Sequence, residues 1–132
     1  MTKAMKGSIS LVLMAILALA MVVPAFAATH THAYQFYYEG EYHEHSSGYI
    51  EGDAVVDDAA NTVTLKLDGN YFPEIKIGSA TYYGTYSSAT GLTTFVLPGS
   101  DAANIDLSLH VRVTVMGIPI HDTWYDLELH WL

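Results

Sequence analysis

Cysteine is absent from this 132-residue sequence. No disulfide therefore restrains the unfolded chain, and the chain offers neither a cysteine nucleophile nor a cysteine for lipid attachment. A Ser-centred elbow of the G-x-S-x-G type is also missing, and the acidic residues form no recognisable catalytic pair. These absences argue against an enzyme and leave a binding or structural protein as the expected class.

Basic residues are also scarce. The sequence has five Lys and Arg residues against fourteen Asp and Glu residues. Two of the five, Lys3 and Lys6, lie at the N-terminus, so residues 28–132 carry a formal charge of −11. A surface this acidic repels phosphate backbones and anionic membranes, so we expect neither nucleic acid nor a membrane surface as a partner.

Long apolar runs are confined to the start of the chain. A positively charged beginning is followed by an apolar run over residues 9–23, and Pro24 separates this run from Ala25-Phe26-Ala27. This order is typical of a cleaved secretory signal peptide, and the run is shorter than the ~20 residues of a membrane-spanning helix. We predict a signal peptide over residues 1–27 and a secreted single domain over residues 28–132, with no membrane span. An uncleaved anchor is the alternative.

Alternation of apolar and polar residues dominates the predicted mature chain. It is clearest over residues 105–115, where every odd position is apolar, and it returns over residues 121–131 after a Gly117-Ile118-Pro119 turn. Shorter strands are expected over residues 33–38, 63–67, 74–77, 81–86 and 93–97. Seven or eight short strands without a helical period predict an all-β, immunoglobulin-like antiparallel β-sandwich.

Histidine is concentrated in the same region. All seven His residues follow residue 27, and four of them form two H-x-H pairs, His30/His32 and His43/His45. On a strand, side chains two residues apart share one face, so each pair can bind one Zn²⁺ or Cu²⁺ ion. Glu41 and Glu44 can complete the ligand shell of the second pair.

The predicted cleavage point adds a further metal site. Cleavage after Ala27 starts the mature chain at Ala28-Thr29-His30, whose amine, amide and imidazole nitrogens suit Cu²⁺ or Ni²⁺. The alternative is a flexible, His-containing terminus over residues 28–32 with incidental metal affinity.

The last strand has a polar start. His121 and Tyr125 share a predicted face with Leu127, Leu129 and Trp131, next to a hairpin turn. A polar pair at the open end of an apolar face suits an amphipathic ligand. The alternative is a Tyr and a His packed at the edge of the sandwich and hydrogen-bonded to the backbone.

The order of these segments resembles a NEAT (near-iron-transporter) domain, a haem-binding immunoglobulin-like module of Gram-positive surface and secreted proteins. The resemblance covers most of residues 33–131, including a short helical lip at Ser46-Ser47-Gly48-Tyr49-Ile50 and the closing hairpin. In the family, the last strand reads Y-x-x-x-Y and continues with alternating apolar residues and a final aromatic residue. Here the strand reads His121-x-x-x-Tyr125 and ends at Trp131.

The resemblance implies a haem site on this strand. In the family the first Tyr binds the iron and the second hydrogen-bonds the first, so His121 takes the ligand position and Tyr125 the supporting position. Imidazole is itself a haem ligand. The resemblance also implies that Ser46, Ser47 and Tyr49 form the lip around the porphyrin. The implied function is secreted haem binding for iron acquisition, with relay to other surface proteins; a divergent member that no longer binds haem stays an alternative.

Two other functions stay open. One is extracellular Cu or Zn binding by the two H-x-H pairs, whereas His121 is a candidate metal ligand as the axial ligand of haem iron. The other is a structural or glycan-binding sandwich, because the ten Tyr residues all follow residue 27 and such an aromatic excess can line a ligand surface.

Overall fold

A computed structural model describes residues 29–132. The predicted signal peptide and Ala28 lie outside the described residues. The described part contains eleven strands and one short helix, α1 (Glu44–Ser47). The strands are β1 (Thr29–His32), β2 (Tyr34–Tyr38), β3 (Glu41–Tyr42), β4 (Ala54–Asp57), β5 (Thr62–Asp68), β6 (Glu74–Ile77), β7 (Ala80–Tyr83), β8 (Thr85–Ser87), β9 (Leu92–Pro98), β10 (Ile105–Val115) and β11 (Ile118–Trp131).

Two antiparallel sheets enclose the core. One has the order β1-β4-β5-β9-β8 and the other the order β3-β2-β11-β10-β6-β7. Alternation decides which side chains point inward: in β5, Val63, Leu65 and Leu67 are buried while the residues between them are not. The opposite sheet contributes Phe36, Ile75, Leu107, Leu109, Leu127 and Leu129. The predicted all-β, immunoglobulin-like sandwich is confirmed.

The β10–β11 hairpin is the longest pairing in the described residues. Its register sets Ile105 opposite Leu129 and Val113 opposite His121, and it shifts at a bulge between Val113 and Thr114. Burial decreases along β10, from buried Leu109 through half-buried Val113 to exposed Val115. The outer part of the hairpin therefore extends beyond the packed core and leaves an apolar face accessible.

The number of strands exceeds the seven or eight predicted. Two of the additional strands are the short strands β1 and β3. The predicted strand over residues 81–86 is divided at Gly84 into β7 and β8, which belong to different sheets. A Cβ atom on Gly84 would lie 2.6 Å from Thr93 Cγ2 and 2.7 Å from the Phe72 carbonyl oxygen. Glycine therefore lets the chain cross from one sheet to the other through a closely packed region.

The N-terminal segment differs from the flexible terminus expected over residues 28–32. Residues 29–32 form β1, which pairs with β4 from Thr29 opposite Asp57 to His32 opposite Ala54. This pairing satisfies backbone groups that β4 would otherwise leave open at the sheet edge. It also fixes the face from which His30 and His32 project.

Two side chains determine where α1 forms. His43 caps its N-terminus, since its Nδ1 atom accepts a hydrogen bond of 3.3 Å from the Ser46 N–H. The Ser47 hydroxyl accepts from the Phe36 N–H at 3.0 Å and is 3.2 Å from the Phe36 carbonyl oxygen, to which it donates. The helix begins two residues earlier than the lip that the resemblance implied. Within residues 29–132, no helix is long and apolar enough to cross a membrane.

Candidate functional site

A cleft opens between α1 and the inner face of the β10–β11 hairpin, and it holds a cavity of about 200 Å³. The hairpin wall consists of Val111, Val113, His121 and Tyr125. The lip wall consists of His43, His45, Ser46 and Tyr49. Three buried side chains form the floor: Phe72, Leu109 and Leu127.

His121 and Tyr125 form the polar end of the hairpin wall. The Nε2 atom of His121 is 3.1 Å from the Tyr125 hydroxyl oxygen, and the two rings are stacked at an interplanar angle of 20°. His121 is exposed and Tyr125 is half-buried. The structure therefore brings together the two residues that alternation placed on one face, and their side chains bond to each other.

The floor of the cleft is aromatic where it meets the lip. Tyr49 packs edge-on against Phe72, with ring centroids 5.2 Å apart, and against Tyr71 at 6.3 Å. Phe72 could not be recognised from the sequence as a residue of the cleft, because it precedes β6 in a segment without alternation. Val111 and Val113 could be predicted to line the same face as buried Leu109, because all three lie at odd positions of β10.

The second H-x-H pair lines the lip rather than a strand. His45 lies within α1, and its ring centroid is 6.4 Å from that of His43. Because Nδ1 of His43 accepts from the Ser46 N–H, the neutral ring carries its proton on Nε2. His43 therefore offers an N–H donor to the cleft rather than a metal-binding lone pair. Within residues 29–132, this pair belongs to no group of three metal-ligating residues, even with Glu41 and Glu44 nearby.

Of the three lip residues that the resemblance implied, two line the cleft and one does not. Ser46 and Tyr49 line the cleft, and the Ser46 hydroxyl is 2.6 Å from His43 Nδ1. Ser47 turns toward β2, where its hydroxyl bonds the backbone of Phe36. The structure does not bring Ser47 to the cleft.

The first H-x-H pair lies on β1 and meets a residue that the sequence analysis missed. His30 Nε2 is 2.6 Å and His32 Nδ1 is 2.9 Å from the same Asp101 oxygen. The hydrogen bonds from His30 and then His32 lower the pKa of Asp101 to about 2. The bond to Asp101, followed by the bond to the Leu132 carbonyl, raises the pKa of His32 above its usual value.

The other two histidines lie on the outer face of the second sheet. His110 Nδ1 is 3.2 Å from Glu74 and its Nε2 is 2.5 Å from Asp122. The hydrogen bond from His110 lowers the pKa of Asp122. His130 stacks on Tyr37 with ring centroids 4.0 Å apart. Both rings are held by neighbours outside the cleft.

The tyrosines do not share one surface. Tyr34 is buried in the core, Tyr49 and Tyr125 line the cleft, and Tyr83 is exposed on β7. The glycan-binding alternative is therefore not supported by a single tyrosine-lined face within residues 29–132.

The fold and the cleft together define an antiparallel β-sandwich whose candidate site lies between a short lip helix and the last hairpin. No protein-family model matches the sequence, and no curated protein matches it. Among solved structures, it is similar to the NEAT5 domain of IsdX2, a B. anthracis hemophore, in complex with haem. That similarity has a TM-score of 0.62 at 10% identity over 78% of this chain and 93% of the other.

The haem complex of the Q29T mutant of the same NEAT5 domain is also similar. Its TM-score is 0.61 at 13% identity, over 78% of this chain and 92% of the other. The fold of this chain is therefore that of a NEAT-like domain, as the resemblance in sequence implied.

Proposed function

We propose that this protein binds haem in the cleft between α1 and the β10–β11 hairpin. The observation that carries the proposal is the 3.1 Å hydrogen bond between His121 and Tyr125 at the open end of an apolar wall. By the resemblance in sequence, these residues correspond to the two positions at which the NEAT family carries its tyrosines. Both similar solved structures are complexes with haem, which supports the same ligand here.

The residues of the cleft suit a haem group. Val111, Val113 and Phe72 supply apolar contacts for a flat macrocycle. His121 supplies an imidazole, a common axial ligand of haem iron. When its Nε2–H donates to the Tyr125 hydroxyl, the Nδ1 lone pair is the one available to a metal. Bound haem would supply an iron centre whose potential depends on this ligand and on the hydrogen bond behind it.

The lip wall supplies polar groups. His43 lines the cleft with its proton on Nε2, and the neighbouring Ser46 hydroxyl, which donates to His43 Nδ1 at 2.6 Å, supports that tautomer. The Nε2–H of His43 is a donor that suits a propionate carboxylate of haem, because hydrogen bonds to an ionised acceptor are stronger than those between neutral groups.

The proposed role is capture and relay rather than catalysis. The cavity of about 200 Å³ is smaller than the roughly 300–1,000 Å³ of pockets that enclose a whole drug-sized ligand. Part of a bound haem therefore stays outside the protein, where a second protein can reach it. With the predicted export signal over residues 1–27, this supports a secreted haem-binding protein that exchanges haem with other surface proteins.

Titration with hemin, followed by absorbance near the Soret region, tests the proposal. We expect saturable binding of one hemin per chain by the parent protein. His121→Ala should weaken binding at least about tenfold, since loss of a ligand or of its support costs roughly 10–100-fold at metal sites. His121→Tyr restores the Y-x-x-x-Y pattern and should retain binding with a shifted band.

The matched control is His130→Ala, which removes an imidazole from the outer face of the same strand. This variant should titrate like the parent. If His121→Ala and Tyr125→Ala also titrate like the parent, haem does not bind as proposed.

A further inference from the structure

Three side chains with metal-binding atoms converge where β1 meets the loop between β9 and β10. His30 Nε2 and His32 Nδ1 lie 2.6 and 2.9 Å from Asp101 Oδ2. The three ligand atoms lie within 4.8 Å of one another. Two imidazoles and one carboxylate are the protein ligands of a common type of Zn²⁺ site, in which water takes the fourth position.

Each imidazole is oriented by an acceptor on its far side. His32 Nε2 is 2.7 Å from the Leu132 carbonyl oxygen, to which it can keep donating when a metal ion replaces the proton on Nδ1. His30 Nδ1 is 3.4 Å from an Asp58 oxygen, and its Nε2 points toward the same centre. Metal-binding histidines are typically held in this way by a carboxylate or a backbone carbonyl.

The charges around the three side chains favour a cation. In the metal-free protein the N–H groups of His30 Nε2 and His32 Nδ1 donate to Asp101 Oδ2. A divalent cation that displaces these two protons would meet a nitrogen lone pair of each imidazole and a carboxylate oxygen, which are three favourable contacts. Asp58, on the far side of His30, adds a further negative charge.

The loop that carries Asp101 is held in place by Trp131. The Trp131 Nε1–H donates to the Ala103 carbonyl at 2.9 Å, and its backbone N–H donates to Asn104 Oδ1 at 2.9 Å. The Trp131 ring also contacts the His32 ring, with centroids 4.9 Å apart. Tetrahedral Zn²⁺ with bonds of about 2.0–2.1 Å separates its ligand atoms by about 3.3 Å, so the separations of 2.6 and 2.9 Å need to widen only slightly.

We infer that His30, His32 and Asp101 bind Zn²⁺, with one coordination position left to water. The bound ion would fasten β1, an edge strand, to the loop between β9 and β10. This site is separate from the haem cleft and does not depend on the proposed haem binding.

Calorimetric titration of the purified protein with a zinc salt tests the inference. The parent should bind one Zn²⁺ per chain at this site, and its Tm should rise when Zn²⁺ is present, because an ion that binds only the folded state stabilises it. Asp101→Asn removes the charged ligand at nearly constant size. It should weaken binding at least about tenfold and abolish the Tm shift, and His32→Ala should do the same.

The double variant His43→Ala, His45→Ala is the matched control, since it removes the other H-x-H pair. It should bind Zn²⁺ like the parent, and so should His121→Ala. Circular dichroism of each variant reports whether the domain has folded, and hemin titration does so for Asp101→Asn and His32→Ala, whose substitutions lie outside the cleft.

Two outcomes would overturn the inference. One is the lack of stoichiometric Zn²⁺ binding by the folded parent. The other is binding that His30→Ala weakens but Asp101→Asn and His32→Ala do not, because the N-terminal amine of Ala28-Thr29-His30 would then hold the metal.

Discussion

Tyr34 shows how one buried polar atom affects the stability of this domain. The side chain is 4% exposed, and its hydroxyl has no hydrogen-bond partner within residues 29–132. Burial raises the pKa of the hydroxyl above its usual value because the charged form loses solvation. A buried polar group without a partner costs about 1–3 kcal/mol, so the ring contributes to the core while the hydroxyl opposes folding.

Tyr34→Phe should therefore increase the free energy of unfolding by about 1 kcal/mol. The phenyl ring keeps its edge-on contacts with Phe36 and Trp131, at centroid distances of 5.7 and 6.2 Å. Urea unfolding measures the change. Tyr125→Phe is the control, since its hydroxyl is bonded to His121 and its loss should bring no gain. A loss of stability in Tyr34→Phe would show that the hydroxyl is hydrogen-bonded in solution.

The residues of the two candidate sites differ in how far the sequence could predict them. His121 and Tyr125 could be placed on one face because the alternation of β11 is regular, and the structure brings their side chains together. Asp101 could not be linked to His30 and His32, because it follows a Pro-Gly turn about seventy residues away in the chain. It reaches β1 because the turn is bonded to Asn61 and the following loop to Trp131, and both contacts are distant in sequence.

At the scale of elements, α1 also combines a feature that the sequence could predict with one that it could not. The resemblance implied a lip that contains two adjacent serines, but consecutive helical residues point about 100° apart. Only one of them can face the cleft. Ser46 does so, and Ser47 ties the helix to β2 through the Phe36 backbone. The sequence pattern located the lip approximately but could not decide which serine belonged to the site.

The break between β7 and β8 is a feature that alternation could not reveal. Residues on both sides of Gly84 have the composition of one continuous strand, and the division depends on how closely the chain passes Phe72, Thr93 and Phe95. A Cβ atom on Gly84 would lie 2.9 Å from Phe95 Cζ. The sheet change is thus a consequence of packing that involves residues distant in sequence.

Gly84→Ala should lower the free energy of unfolding by about 1–3 kcal/mol, the usual cost of forcing an extra methyl group into a packed core. Gly48→Ala is the matched control. Gly48 has a φ of −64°, and a Cβ atom there would lie 3.4 Å from the Glu44 carbonyl oxygen, so the change should be nearly neutral. Urea unfolding of both variants gives the comparison. Equal stability of the two would mean that the chain near Gly84 relaxes without cost.

At the scale of the whole molecule, β11 connects the two candidate sites. His121 lies near its start in the cleft, and Trp131 at its end holds the loop that carries Asp101. Ten residues of extended strand at about 3.3 Å each separate the sites by roughly 30 Å. Between them, β11 pairs with β10 and with β2 inside the sheet, and buried Leu127 and Leu129 hold it against the core.

We expect this separation to make the binding of Zn²⁺ and hemin nearly independent. Changes at sites more than about 7–10 Å apart with no shared partners are usually additive, and coupling requires an element with two arrangements that both ligands bias. Saturating Zn²⁺ should therefore alter the Kd for hemin by less than about twofold, which is small beside the 5–150-fold of typical allosteric coupling. Hemin titrations with and without Zn²⁺ measure this factor.

Asp101→Asn distinguishes the ways in which this expectation could fail. Coupling is reciprocal, so a real effect of Zn²⁺ on hemin must appear equally as an effect of hemin on Zn²⁺. If Asp101→Asn abolishes a shift of about fivefold or more, β11 transmits strain between the two sites. If the shift persists in Asp101→Asn and disappears in the His43→Ala, His45→Ala variant, Zn²⁺ is competing for the imidazoles of the lip. Independence in both directions would leave a rigid sandwich with two separate ligand sites at opposite ends of one strand.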